Sequence, residues 1–184
     1  MDFQRIAAGA IVGHEVKVDG EGCLVVEGAG GEAFGAIRAK PNEQRASRRD
    51  PQTLGTILEA VDGSWFVPNQ QELREKHRAV LDAAGTEVAG IDHSSHSRRE
   101  IQLPGGALIW ERHTTRPQYR IDGLFGVSRT ALHAFVAGIS RRPFKGEVTD
   151  VLAGRPDASL VLLLACWLTM GSIDAKVAAA STAT

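Results

Sequence analysis

The chain has little cysteine: two residues in 184, Cys23 and Cys166. One sits in a strand-like run and the other in a wholly apolar segment. That excludes the stapled framework of a small disulfide-rich domain, and both thiols read as small core residues. Charge of one sign is also missing. Twenty-one basic against 22 acidic side chains leave a formal net charge of −1. The whole chain therefore offers no general attraction for nucleic acid or an acidic surface, and only local clusters can supply one. Residues 1–9 lack a basic stretch followed by a long apolar run, so the expected location is the cytoplasm. No Gly-x-Ser-x-Gly elbow is present. The glycines at 28–31 lack the Lys-Ser/Thr ending of a phosphate loop, and no helical pattern follows them. A non-catalytic protein without a cofactor is expected, with a hydrolase of cryptic site as the alternative.

What is present is one run with no polar face. Residues 158–170, ASLVLLLACWLTM, read as a helix apolar all round, which must be wrapped by protein or lipid. Length decides between them. Thirteen residues at about 1.5 Å each reach roughly 20 Å, whereas a bilayer core of about 30 Å asks for about 20 apolar residues. A buried core helix is expected, and no transmembrane span. Asp157 is positioned as its N-cap, and Gly171 as the glycine just past its C-terminus.

Most of the remaining sequence has β character. Twenty glycines punctuate short apolar runs. The pairs Asp19-Gly20, Asp62-Gly63 and Asp122-Gly123 each lie between two such runs, the pattern of two-residue hairpin turns. Further turns are expected at 29–31 and at Leu103-Pro104-Gly105-Gly106. Residues 40–55 are polar and bracketed by prolines, and read as a long loop. Residues 69–84 are ambiguous. Asn69 and Glu72 resemble a capping box, and Leu73, His77, Val80 and Leu81 share a helical face. The second half also fits a strand over 78–82 turning at 83–85 into 87–91. The balance leans to a short helix running into a strand. The expected domain is 1–177, with 178–184 as a frayed tail.

A run of β-hairpins that ends in one fully apolar helix is an uncommon order. The turn at 103–106 with Ala107-Leu108-Ile109-Trp110-Glu111 after it, the strand and turn at 118–123, and Phe144-Lys145-Gly146-Glu147-Val148 leading to 157–170 together resemble the tubby-like superfamily. The likeness is best over 78–173. It implies a mainly β (α+β) fold: an antiparallel β-barrel of hairpins around a central apolar C-terminal helix. The chain has no Pro-rich arm and no cysteine cluster, and Glu147, Asp150 and Asp157 are too spread for a calcium loop. The LURP-one-related members are thus the closer likeness, and a membrane-associated scramblase-like protein the more distant one. The resemblance implies a binding role, toward an anionic lipid or phosphorylated ligand or toward a protein partner, and allows peripheral attachment to a membrane.

Three basic groups are candidates for an anionic ligand. They are Arg38, Lys40, Arg45, Arg48 and Arg49; Arg98 and Arg99; and Arg141, Arg142 and Lys145 around Pro143. Asp92, His93 and His96 have the donor types of a zinc site, with His113 as an extra ligand, but lack a distant partner pair, so a polar turn and no metal is the reading. The aromatics Trp65, Phe66, Trp110, Tyr119, Phe125, Phe135 and Phe144 lie in strand-like runs and read as core or wall residues.

Overall fold

The computed structural model describes residues 1–18, 21–41, 53–69, 76–95, 98–112, 118–125, 128–130, 134–137 and 144–181. Among them are thirteen strands and two helices. The strands are β1 (Gly9–Val18), β2 (Glu21–Gly28), β3 (Ala33–Pro41), β4 (Thr53–Ala60), β5 (Gly63–Pro68), β6 (His77–Leu81), β7 (Glu87–Ser95), β8 (Arg98–Leu103), β9 (Gly106–Arg112), β10 (Gln118–Phe125), β11 (Ser128–Thr130), β12 (Ala134–Ala137) and β13 (Phe144–Val148); the helices are α1 (Asp150–Ala153) and α2 (Ala158–Ser181). All strand pairings are antiparallel. From β1 to β9 each strand pairs with the next in sequence. β13 pairs with β1 and with β12. β10 pairs with β9 and also with β11 and β12. The fold is therefore mainly β, one antiparallel sheet with a C-terminal helix.

The hairpins follow local chemistry at several turns. At 82–85, the Asp82 carboxylate accepts from the Ala84 and Thr86 N–H groups at 2.9 and 2.8 Å. Gly85 takes φ +82°, which a side chain would resist. The turns at 29–31 and 104–105 also close where expected, with Gly31 at φ +83° and Leu103 paired with Gly106.

Residues 77–81 are strand β6, in line with the strand reading of 78–82 turning at 83–85 into 87–91; residues 70–75, in the part where the short helix is expected, lie outside the described residues. Five cross-strand partners in β7 hold β6 extended, and tertiary pairing overrides the local helical pattern. Other expectations need correction. Asp62-Gly63 lies one place off the expected turn: Ala60 pairs with Gly63, so Val61 and Asp62 make the connection. Asp122-Gly123 is no turn. Both residues pair with β9, and Gly123 pairs with β11 as well, so the ladder carries the chain straight through. Asp19-Gly20 lies outside the described residues, between partners Val18 and Glu21. The expected long loop over 40–55 is strand at both ends, since β3 runs to Pro41 and β4 starts at Thr53; residues 42–52 lie outside the described residues.

The core forms around α2. Residues 158–166 are all buried, Val161, Leu162, Leu164 and Cys166 completely. Strand side chains of alternating parity face them: Leu24 and Val26, Ile37, Leu58, Val80, Ile91, Ile101, Leu108 and Trp110. At Gly35 the helix comes so close that a Cβ would lie 2.9 Å from Leu163 Cδ2 and 2.7 Å from the Glu59 carbonyl. Two bonds tie the far end of the buried stretch: Trp110 Nε1 donates to Thr169 Oγ1 at 3.3 Å, and Trp167 Nε1 to Thr56 Oγ1 at 3.1 Å. The Thr169 hydroxyl itself donates to the Ala165 carbonyl at 2.7 Å.

α2 does not stop at Gly171 but continues to Ser181, through residues expected to fray. A mid-helix glycine costs only about 1 kcal/mol. Asp157 precedes the helix, and its carbonyl accepts from Val161 at 3.0 Å. Its carboxylate takes Arg155 Nε and Nη2 at 2.6 and 2.7 Å. Among the described residues no helix is long and apolar enough to cross a membrane.

The opposite face of the sheet has its own small cluster. Cys23, Val25 and Ala36 are buried there beneath Phe3 of the N-terminal segment. This explains why β2 reads as a continuous apolar run: Leu24 and Val26 face α2 while Cys23 and Val25 face Phe3. Both cysteines are free and buried, and burial pushes both thiols up from their ordinary value. Neither is a nucleophile in this setting.

Candidate functional site

Strand alternation sorts the charged side chains onto two surfaces, one facing α2 and one facing away. On the outer surface, Arg38 of β3 forks onto Glu59 of β4, with Nε to Oε2 at 3.1 Å and Nη2 to Oε1 at 2.9 Å. Two grooves meet at this pair and Ser64. One, of about 490 Å³, runs toward Met1, Phe3 and Val18. The other, of about 280 Å³, runs past Lys40, Ile57 and Phe66 to Asp82. Phe66 lies flat on the sheet because Gly55 beneath it has no side chain; a Cβ there would come within 2.7 Å of Phe66 Cε2. Lys40 Nζ sits 4.9 Å from the centre of that ring, within cation–π range.

Further round the outer surface, His77 of β6 is held by two carboxylates of β7. Its Nδ1 is 2.7 Å from Asp92 Oδ1 and its Nε2 2.9 Å from Glu87 Oε1. Gln102 Nε2 donates to Glu100 at 2.8 Å and to Asp92 at 3.4 Å. Both ring nitrogens face acceptors, so the charged ring is favoured. The bond to Asp92, then that to Glu87, raises the His77 pKa above its ordinary value.

On the helix-facing surface lies a second group that sequence adjacency does not suggest. Arg78 is aligned with Ile91 and Ile101, both fully buried. Its guanidinium carbon lies 5.2 Å from the Trp167 ring of α2. His93 pairs directly with Arg99, and Arg99 with Trp110. All three cationic residues are half-buried. Burial, then Arg99 and Arg78, lowers the His93 pKa. Burial, then Arg78, lowers that of Arg99.

The described members of the basic groups fall on both faces of the sheet. Arg38 and Lys40 share the outer face of β3. Arg98 also faces outward, 3.6 Å from Glu111, while its neighbour Arg99 faces α2. Lys145 is exposed on β13, between partner positions Val12 and Ala137. Arg45, Arg48, Arg49, Arg141 and Arg142 lie outside the described residues. So do His96 and His113, but Asp92 and His93 lie in strand β7 rather than in a polar turn, and alternation turns them to opposite faces. Among the described residues no group of three or more His, Cys, Asp or Glu could hold a metal. Sequence reasoning missed His77 and Arg78, whose signal is their alternation with Val80, a core position.

Comparison with protein-family models, with curated proteins and with solved structures finds no match to this chain.

Proposed function

We propose that the sheet closes on itself as a barrel around α2, in the manner the tubby-like resemblance implies, and that the domain is a non-catalytic binding module for an anionic surface. The observation that carries the closure is the double pairing of β10. Tyr119 is aligned with Arg112 of β9 and with Val136 of β12, so β10 bridges the last strand of the meander to the β12–β13–β1 end. Residues 158–166 buried on every side are what such a closed wall requires. For the ligand, support comes from Arg38 and Lys40 on one outward face of β3. That strand leads into the segment bearing Arg45, Arg48 and Arg49. Lipid headgroups with phosphate or carboxylate suit such a surface through charge-assisted bonds.

Co-sedimentation with vesicles tests this. Recovery is expected on acidic but not neutral vesicles, and it should fall as salt rises, since exposed charges are screened beyond about 8–10 Å at physiological ionic strength. Lys40→Glu combined with Arg48→Glu, Arg49→Glu, Arg141→Glu and Arg142→Glu should abolish recovery. A circular-dichroism melt of the variant should match wild type, since a change at an exposed position such as Lys40 alters stability by about 0.5 kcal/mol or less. Equal recovery on neutral and acidic vesicles overturns the lipid reading.

A further inference from the structure

We propose that the outer face of β3 and β4 takes a single acyl chain with an anionic head, its tail in the longer groove beside Phe3 and its head in the shorter one at Lys40. This names a ligand for the face that carries the anionic-surface reading, and it rests on that reading for the choice of a lipid. The tail's place is the groove of about 490 Å³, a size within the roughly 300–1,000 Å³ of small-molecule sites. Its floor includes the small buried side chains of Cys23 and Ala36. Met1 and Phe3 line it from the N-terminal segment, which is tied to the sheet by the Gln4 N–H donating to the Ala33 carbonyl at 2.8 Å. Val18, a large apolar residue left exposed, lines the same groove.

The backbone favours a hydrocarbon over a peptide in that groove. β3 is paired with β2 on one side and β4 on the other, and β4 is paired in turn with β5. The N–H and C=O groups of the floor are therefore engaged in the ladder. A peptide laid across it would bury polar backbone groups without partners, which is costly; an acyl chain has none to satisfy. Charge sets the head. The two grooves meet at Arg38, Glu59 and Ser64. Glu59 is matched there by the Arg38 fork at 3.1 and 2.9 Å, so that pair is neutral. Lys40 adds a positive charge in the shorter groove, exposed and 4.9 Å from the centre of the Phe66 ring. Asp82 stands at the far end of that groove, its carboxylate accepting from the N–H groups of its own turn. A carboxylate or phosphate head beside Ser64 and Lys40 gains an ammonium partner and a hydroxyl donor. A cationic head would meet Lys40 as a like charge.

The test is calorimetry on the full chain with dodecanoate below its micelle concentration, with shorter carboxylates and dodecyltrimethylammonium as controls, and methyl NMR to locate the tail. Dodecanoate is expected to bind and to shift the methyl signals of Met1, Val18 and Ala36. Affinity should fall about fourfold for each methylene removed, the factor that burying one CH₂ supplies. Ser64→Phe, at an exposed position where the grooves meet, should cut binding about tenfold or more, whereas Ser64→Ala should leave it within about threefold. Lys40→Gln should weaken dodecanoate about two- to fivefold, as the loss of an exposed charge pair does. No dodecanoate binding overturns the proposal. So does equal affinity for dodecyltrimethylammonium, or methyl shifts that miss Met1, Val18 and Ala36. The two readings fail separately. Recovery on acidic vesicles without dodecanoate binding would overturn the groove alone, and dodecanoate binding without vesicle recovery would overturn the surface reading alone.

Discussion

At the scale of single residues, glycines decide what two key side chains can do. His77 fits between Glu87 and Asp92 because Gly90 leaves room on β7; a Cβ there would overlap His77 Cε1. Gly90→Ala should push the ring from its clamp and return its NMR midpoint toward the ordinary value of about 6.5. The clamp also fixes the sign of a pH effect. A histidine whose folded pKa is raised contributes stability that is fully present below the unfolded value and is lost as pH rises through the folded one. Wild type should therefore out-melt His77→Gln below about pH 6, and the gap should close in mildly alkaline buffer. With the His77 side chain half exposed, the effect is small. Gly35 is the stricter case, because the Glu59 backbone as well as Leu163 blocks a side chain. Gly35→Ala should cost about 1–3 kcal/mol in urea unfolding, as overpacking does.

At the scale of elements, apolar patterning was legible and fine turn placement was not. The apolar helix and its enclosure follow from composition and length, and the strand at 144–148 from the resemblance. The turn at 103–106 follows from Pro-Gly chemistry. Asp122-Gly123 has the same local signal as a hairpin, yet β9 and β11 hold it extended; nothing within a few residues of the pair encodes those partners. At 77–82 helical spacing and a strand reading compete in the sequence, and pairing with β7 decides for the strand. Which basic residues share a face is likewise hidden from adjacency in the sequence. Adjacent residues in a strand point to opposite faces, so Arg98 and Arg99 part company, while Arg78, His93 and Arg99 share one face from three neighbouring strands. At the helix, Leu163→Ala should cost about 2–5 kcal/mol. Leu163→Asp should abolish soluble folding altogether, because an unpaired buried charge is far more expensive.

At the scale of the molecule, the fold is one sheet organised by one helix, and its outer and inner surfaces carry separate chemistry. Phe3 covers the sheet's outer apolar cluster, leaving the Arg38–Glu59 grooves and the His77 clamp on the surface. The inner wall keeps its polar groups at one end, around Trp110, Trp167 and Thr169. The central claim is that α2 is enclosed on every side. Methyl NOESY on the successive residues Leu160, Val161, Leu162, Leu163 and Leu164 tests it most directly, because five consecutive helical positions sample the full circumference. Contacts from all five to strand protons are predicted. Finding that residues along one side of the helix touch no strand would contradict it.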